Sequence, residues 1–192
     1  MINIFLIRHG KASSGWNFQD PGLDKIGKEQ SNNLSKELLN YSLKSFDIFS
    51  SPLLRCKETS KPFCEISNKK LTIEKRLSEI PSPIKNLEER VVWLRRVLPL
   101  NWKELINDKD SLASGIDYNL WRLNIVEFLK NLNEDSFIFT HFVVINSVIS
   151  FLNQSEKVVF FNPDNTSVTH LRLHRNFLKI ISLGDESITK IN

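Results

Sequence analysis

The chain has only two cysteines in 192 residues, and they cannot serve each other. Cys56 and Cys64 fall in one predicted helix, two turns apart and out of disulfide reach. A disulfide scaffold is excluded, and reduced thiols in the cytoplasm are the expectation. Long apolar runs are missing too. None approaches the roughly 18 residues of a membrane span, and Arg8 interrupts the first apolar run too soon for a secretory leader. The sequons at Asn153 and Asn165 are therefore read as chance. Internal repeats, low-complexity tracts and flexible linkers are lacking as well. So is a large excess of one charge: 26 Lys and Arg against 22 Asp and Glu leave a net +4. That suits an anionic ligand, and it falls short of the basic stripe that nucleic acid requires.

What is present is a globular composition, 41% hydrophobic and 25% charged, in a length that suits a single domain spanning 1–192. Short β-like runs alternate with longer helical patterns, which predicts an α/β fold with a largely parallel sheet. INIFLI at 2–7 is a continuous apolar strand, covered on both faces. An amphipathic helix follows over 24–40, then a strand at 46–50. Ser51 is the expected N-cap and Pro52 the first turn of a second helix, which Pro62 should kink or shorten. LTIEKRL at 71–77 reads as a third strand, SFIFT at 136–140 as a fourth, and FVVINSVISFL as a very apolar helix. Two closing strands meet at a tight turn of Arg175 and Asn176. Before SFIFT, helical spacing places Leu87, Val91, Leu94 and Leu98 on one stripe and Tyr118, Trp121, Ile125, Phe128 and Leu132 on another. The segment at about 81–115 is the candidate helical cap over the carboxyl edge of the sheet.

Chemistry-bearing residues gather just beyond the predicted strands. Arg8 and His9 follow the first, Arg55 the second, Glu79 the third and His141 the fourth. Open α/β sheets bind ligands at the carboxyl ends of their strands, so these five side chains converge. Two arginines supply planar donor forks for phosphate oxygens, the histidines supply a donor and a nucleophile, and one carboxyl can hand over a proton. This is a phosphoryl-transfer set without a metal cluster. His9 is the natural nucleophile, because neighbouring arginines favour the neutral imidazole. Arg8, Arg55 and His141 would hold the transferring phosphoryl charge, and Glu79 would protonate the leaving oxygen.

These residues resemble a known family. LIRHGKA around His9, SSPLLRCKETSKPF around Arg55, RLSE ending at Glu79 and FTHF around His141 look like the histidine phosphatase superfamily, also called phosphoglycerate mutase-like. DPGLDKIGKEQS is similar to the start of its first helix, and the resemblance spans about residues 3–165 in the family's order. It implies a three-layer α/β/α fold with a mostly parallel central sheet and a helical cap. It also implies a phosphohistidine at His9, a phosphate pocket of Arg8, Arg55 and His141, a donor carboxyl at Glu79, and no metal or cofactor. Asn17 would be a further phosphate ligand, although Trp16-Asn17 stands two positions away from the family's spacing. Thr140-His141-Phe142 replaces the family's serine-histidine-glycine, Lys11-Ala12 follows the RHG triplet, and IPSPIKN replaces a glycine-tryptophan-glycine pattern.

The reading is a phosphomonoesterase acting on a small phosphorylated substrate, with neither nucleic acid nor membrane as partner and a homodimer allowed. A phosphomutase and a catalytically degenerate phosphate-binding protein are the rivals. The flanks of RHG tell against the mutase, and the intact set of Arg8, His9, Arg55 and His141 tells against the degenerate form. The near balance of charge in 81–115, six basic against five acidic residues, leans away from a polyanionic substrate. His170 and His174 read as sheet surface, Asp164 and Asn165 as a turn, and Trp93, Trp102 and Trp121 as packing.

Overall fold

Alternate residues of the first strand face opposite ways, and both ways are buried. In the computed structural model, which describes residues 1–13 and 20–187, β1 (Ile2–Arg8) sends Ile4 and Leu6 to one core and Phe5 and Ile7 to another. That two-sided burial is why the run INIFLI is apolar throughout. The elements follow as α1 (Lys25–Leu38), β2 (Asp47–Ser50), α2 (Leu54–Ser67), β3 (Leu71–Ile73), a 3-10 turn (Lys75–Leu77), α3 (Leu87–Val97), α4 (Trp102–Asn107) and α5 (Lys109–Ser114). Then come α6 (Tyr118–Lys130), β4 (Ser136–Thr140), α7 (Phe142–Leu152), β5 (Val168–His174) and β6 (Phe177–Ser182).

The six strands form one sheet in the order β3-β2-β4-β1-β5-β6. The first four are mutually parallel, and β5 and β6 complete the sheet antiparallel. Leu34 and Leu38 of α1 and Phe63 of α2 pack on one face with Phe137 and Phe139. Ile125, Phe128 and Leu129 of α6 and Val144, Ile145 and Val148 of α7 pack on the other with Ile138. The architecture is thus the expected three-layer α/β/α arrangement with a mostly parallel sheet. Arg175 and Asn176 both adopt positive φ, 48° and 68°, as a two-residue hairpin turn requires.

Helices α3, α4 and α5 fall between the third and fourth strands, and α3 and α4 join a third cluster. Trp93, Val97, Trp102 and Leu105 pack there with Tyr118 and with Phe142 and Val143, the first residues of α7. Among the described residues, no helix is long and apolar enough to cross a membrane.

Two local expectations need correcting. The third strand ends at Ile73, because Glu74 turns back and accepts the Arg76 N–H at 2.9 Å, winding Lys75–Leu77 into a 3-10 turn. The second helix starts at Leu54 and not beside Ser51. Its first N–H is taken by both carboxylate oxygens of Asp20, each at 3.0 Å, so a residue 34 positions earlier supplies the cap. Pro62 does not shorten this helix, which runs on to Ser67.

Candidate functional site

Register decides which residues meet. Arg8 of β1 lies opposite Thr140 of β4, and Ser50 of β2 lies opposite Phe139. The next residue along each strand therefore leaves the sheet at nearly the same level. His9 donates its backbone N–H to Thr140 O at 3.0 Å, and Ser51 donates its own to Phe139 O at 3.0 Å. His9, Ser51 and His141 emerge side by side, with the His9 and His141 ring centroids 5.3 Å apart.

The guanidinium of Arg55, from the first turn of α2, lies between the two rings. Its Nε–H donates to His9 Nε2 at 3.2 Å and an Nη2–H reaches His141 Nδ1 at 3.1 Å. A guanidinium can only donate, so both of those ring nitrogens hold lone pairs. The ring proton of His9 is then on Nδ1, donated to Gly10 O at 2.8 Å. That of His141 is on Nε2, donated to the Ser51 hydroxyl oxygen at 2.8 Å. Burial holds both histidines well below the usual imidazole range, and the charge of Arg55 adds to the effect. Both rings are neutral near pH 7 as a consequence.

Glu79 arrives from the segment after the 3-10 turn. Its Oε2 stands 3.8 Å from His141 Nδ1, while Oε1 accepts the Ile80 N–H at 3.0 Å. Arg8 donates from Nη1 to Pro163 O at 2.8 Å and lies over the Phe142 ring, 5.3 Å from its centroid. Its Nε is buried and has no hydrogen-bond partner among the described residues. Burial lowers the Arg8 pKa, and the charges of Glu79 and Asp164 oppose that shift. Phe142 opens α7 without entering the left-handed region, so this backbone has no need of glycine there. Its ring offers Arg8 an aromatic face instead.

Arg8, His9, Arg55, Glu79 and His141 are thus brought together as the sequence predicts. Asn17 lies outside the described residues. Several neighbours were invisible to sequence reasoning. Asp20 approaches Arg55 Nη1 at 3.8 Å as well as capping α2. Asn165 donates from its side-chain amide to His9 O at 2.9 Å, so the turn it was expected to form also fastens the loop that carries His9. Thr59 takes the Gly10 N–H at 3.0 Å and donates to Arg55 O at 2.6 Å, tying the RHG loop to the Arg55 turn. Arg90 of α3 is near enough for its charge to depress His141. The Cys56 thiol, its pKa raised by burial, sits 3.5 Å from His141 Nε2. Asp20, Cys56 and Thr59 fall inside the quoted motifs, but their roles gave no local signal, because each acts on a partner distant in the chain.

Chemically, the cluster pairs a neutral imidazole lone pair with two guanidinium forks and a carboxyl. Such a set can hold a tetrahedral anion against a nitrogen nucleophile. Among the described residues, no three His, Cys, Asp or Glu side chains gather as a metal-binding group.

Comparison with known proteins agrees with this geometry. The family model "Histidine phosphatase superfamily (branch 1)" matches residues 4–186. Among solved structures, phosphoserine phosphatase from Entamoeba histolytica, in complex with 3-phosphoglyceric acid, is 21% identical over 96% of this chain and 98% of its own, with a TM-score of 0.71. The alpha-ribazole phosphatase from Shigella flexneri is 19% identical over 100% of both chains, with a TM-score of 0.73. A phosphoglycerate mutase from Bacillus anthracis is 19% identical over 96% of this chain and 93% of its own, with a TM-score of 0.71. At such identities these structures establish the fold. No curated protein matches the chain.

Proposed function

Because the chain belongs to the histidine phosphatase superfamily, branch 1, and is by that membership a phosphoric monoester hydrolase, we propose that it hydrolyses a small phosphorylated metabolite through a phosphohistidine at His9. One observation carries the reading: Nδ1–H of His9 is fixed on Gly10 O at 2.8 Å, which leaves the Nε2 lone pair aimed into the cluster of Arg55, His141 and Glu79.

In this reading the phosphoryl group is held by Arg8, Arg55 and His141. Arg55 turns its Nε–H from His9 Nε2 to a phosphoryl oxygen, which releases the lone pair as the substrate seats. Nε2 attacks phosphorus, the N–P bond forms, and the P–O bond to the leaving group breaks. The departing alkoxide takes a proton from the Glu79 carboxyl, a step of the kind that contributes roughly 10²- to 10⁴-fold. Glu79 then removes a proton from water, whose oxygen attacks phosphorus. The P–N bond breaks, and inorganic phosphate and neutral His9 are restored.

Helices α3 to α5 form the cap that sets substrate choice in this reading. The support is the packing of α3 and α4 in one cluster with Phe142 and Val143, immediately after His141. Their buried side, Trp93, Val97, Trp102 and Leu105, is apolar, and Arg90 of α3 is a cation near the site. The unpaired Cys56 and Cys64 suit a reducing compartment, so the reading places the enzyme in the cytoplasm. Turnover of p-nitrophenyl phosphate, followed by a panel of phosphorylated metabolites, tests the proposal. The expected result is hydrolysis that His9→Ala abolishes, and absence of any turnover from acidic to neutral pH contradicts it.

A further inference from the structure

Ser51 lies at the end of β2, fully buried, where a helix cap was expected. It turns its hydroxyl to His141 instead. The oxygen stands 2.8 Å from His141 Nε2 and also accepts the Leu53 N–H at 3.3 Å. The Cys56 thiol is a further side-chain partner. On the opposite edge of the same ring, Nδ1 receives the Arg55 Nη2–H at 3.1 Å and faces Glu79 Oε2 at 3.8 Å.

These contacts fix the proton. Arg55 has no lone pair to offer, so while its Nη2–H rests on Nδ1 the neutral ring holds its hydrogen on Nε2, where Ser51 is the acceptor. The phosphoryl group of the reading above stands on the Nδ1 side, toward Arg55 and His9. Its oxygens also only accept. For His141 to donate to them, Nδ1 must gain a proton while Nε2–H stays on Ser51.

Resting on the phosphatase reading, we propose that Ser51 is a positioning residue that locks the ring proton of His141 on Nε2, so that phosphate binding is coupled to uptake of a proton at Nδ1. The step balances simply. One N–H bond forms at Nδ1, the proton comes from solvent as the phosphate dianion binds, and neutral imidazole becomes imidazolium.

The groups that face His141 explain the coupling. Arg55 from α2, Arg8 from β1 and Arg90 from α3 are cationic and oppose a second proton, as does the pairing with His9. Glu79 favours that proton, and Cys56 is a neutral thiol. A phosphate dianion among the arginines reverses the balance.

Replacing Ser51 by alanine leaves Nε2–H with only the Cys56 sulfur, 3.5 Å away and a weak acceptor. With that acceptor gone, the ring is expected to move its proton to Nδ1 as the Arg55 Nη2–H turns aside, leaving Glu79 Oε2, 3.8 Å away, to face the new N–H, and to meet phosphate already as a donor.

The test uses the full chain with 15N-labelled histidine, His141 being assigned by loss of its signals in His141→Gln. Ring-nitrogen shifts are read at about pH 7.5, where unperturbed imidazole is neutral, without and with saturating inorganic phosphate. Calorimetry of phosphate binding at about pH 8.5, where free phosphate is already the dianion, in buffers of different ionisation enthalpy counts protons, in a Glu79→Gln background that removes that carboxyl from the count. The wild-type ring is expected to be Nε2–H alone and doubly protonated with phosphate, with uptake of about one proton per phosphate. Ser51→Thr, which keeps the hydroxyl, should behave likewise. Ser51→Ala should show Nδ1–H and uptake near zero. An Nδ1–H ring in the wild type, or a Ser51→Ala ring still protonated on Nε2, overturns the proposal, as does a phosphate complex in which wild-type His141 stays neutral. If phosphate does not bind at all, it is the phosphatase reading that fails, because the phosphate-free tautomers of wild type and Ser51→Ala still decide the role of Ser51.

Discussion

Arg55 donates its Nε–H to Nε2 of His9 across 3.2 Å, and the same guanidinium reaches His141 Nδ1 through Nη2. Only a planar fork can serve both rings at once. Arg55→Lys keeps the charge and loses that fork, both as the bridge and as the donor that turns to the phosphoryl oxygens. Hydrogen bonds to charged groups contribute about 1.5–3 kcal/mol each. Steady-state kinetics should therefore show kcat/KM reduced roughly 10- to 100-fold, since 1.4 kcal/mol is about tenfold. Unchanged kinetics would mean that the fork is dispensable.

Glu79 stands with Oε2 3.8 Å from His141 Nδ1, inside the cluster, and the proposed mechanism has it protonate the leaving oxygen. Glu79→Gln should slow alkyl phosphates by roughly 10²- to 10⁴-fold, while p-nitrophenyl phosphate, whose phenolate needs little help, slows much less. Comparing the two substrate types measures this directly. Equal losses on both would remove Glu79 from the general-acid role.

The RHG loop is seated by close backbone contact. A Cβ on Gly10 would stand 2.8 Å from Gly27 O, and a Cβ on Gly27 would collide with Lys11 O. Gly10→Ala is expected to destabilise the fold by about 1–3 kcal/mol, as overpacking does. Thermal unfolding would register this as a lower Tm, together with weaker phosphate binding as His9 shifts.

Stability should depend on acid in a defined direction. His9 and His141 are buried, and their folded pKa values lie well below the ordinary imidazole value of 6.5. The unfolded chain thus binds protons that the folded chain refuses. Their stabilising contribution is complete above about pH 6.5 and is lost as the pH falls from there toward the folded values, at about 1.4 kcal/mol per pH unit for each group. Denaturant titrations of wild type and His141→Gln across that window should show a shallower acid loss in the variant.

Much of this was legible because the relevant physics is local. The apolar run of β1 announces burial on both faces, and Ile4 and Phe5 do go to different cores. The RHG triplet, Arg55, Glu79 and His141 each follow a strand, and the parallel register that sets Arg8 opposite Thr140 brings the two histidines to one level. What stayed hidden depends on distant partners. Ser51 has the local character of an N-cap, and only the approach of His141, 90 residues later, shows its hydroxyl employed elsewhere. Asp20 takes over the cap from 34 residues away, and Asn165 fastens His9 across 156. The alternation in LTIEKRL fits a strand equally well on paper, but the Glu74 side chain bends it into a turn after Ile73.

His9 as the nucleophile is open to direct measurement. Rapid quench of the protein with a 32P-labelled phosphomonoester should trap acid-labile, base-stable radioactivity on His9, as phosphohistidine chemistry requires. His9→Ala should carry none, and Glu79→Gln should still be labelled by an activated ester. Labelling that persists in His9→Ala, or turnover by wild type with no labelled protein at any quench time, would contradict it.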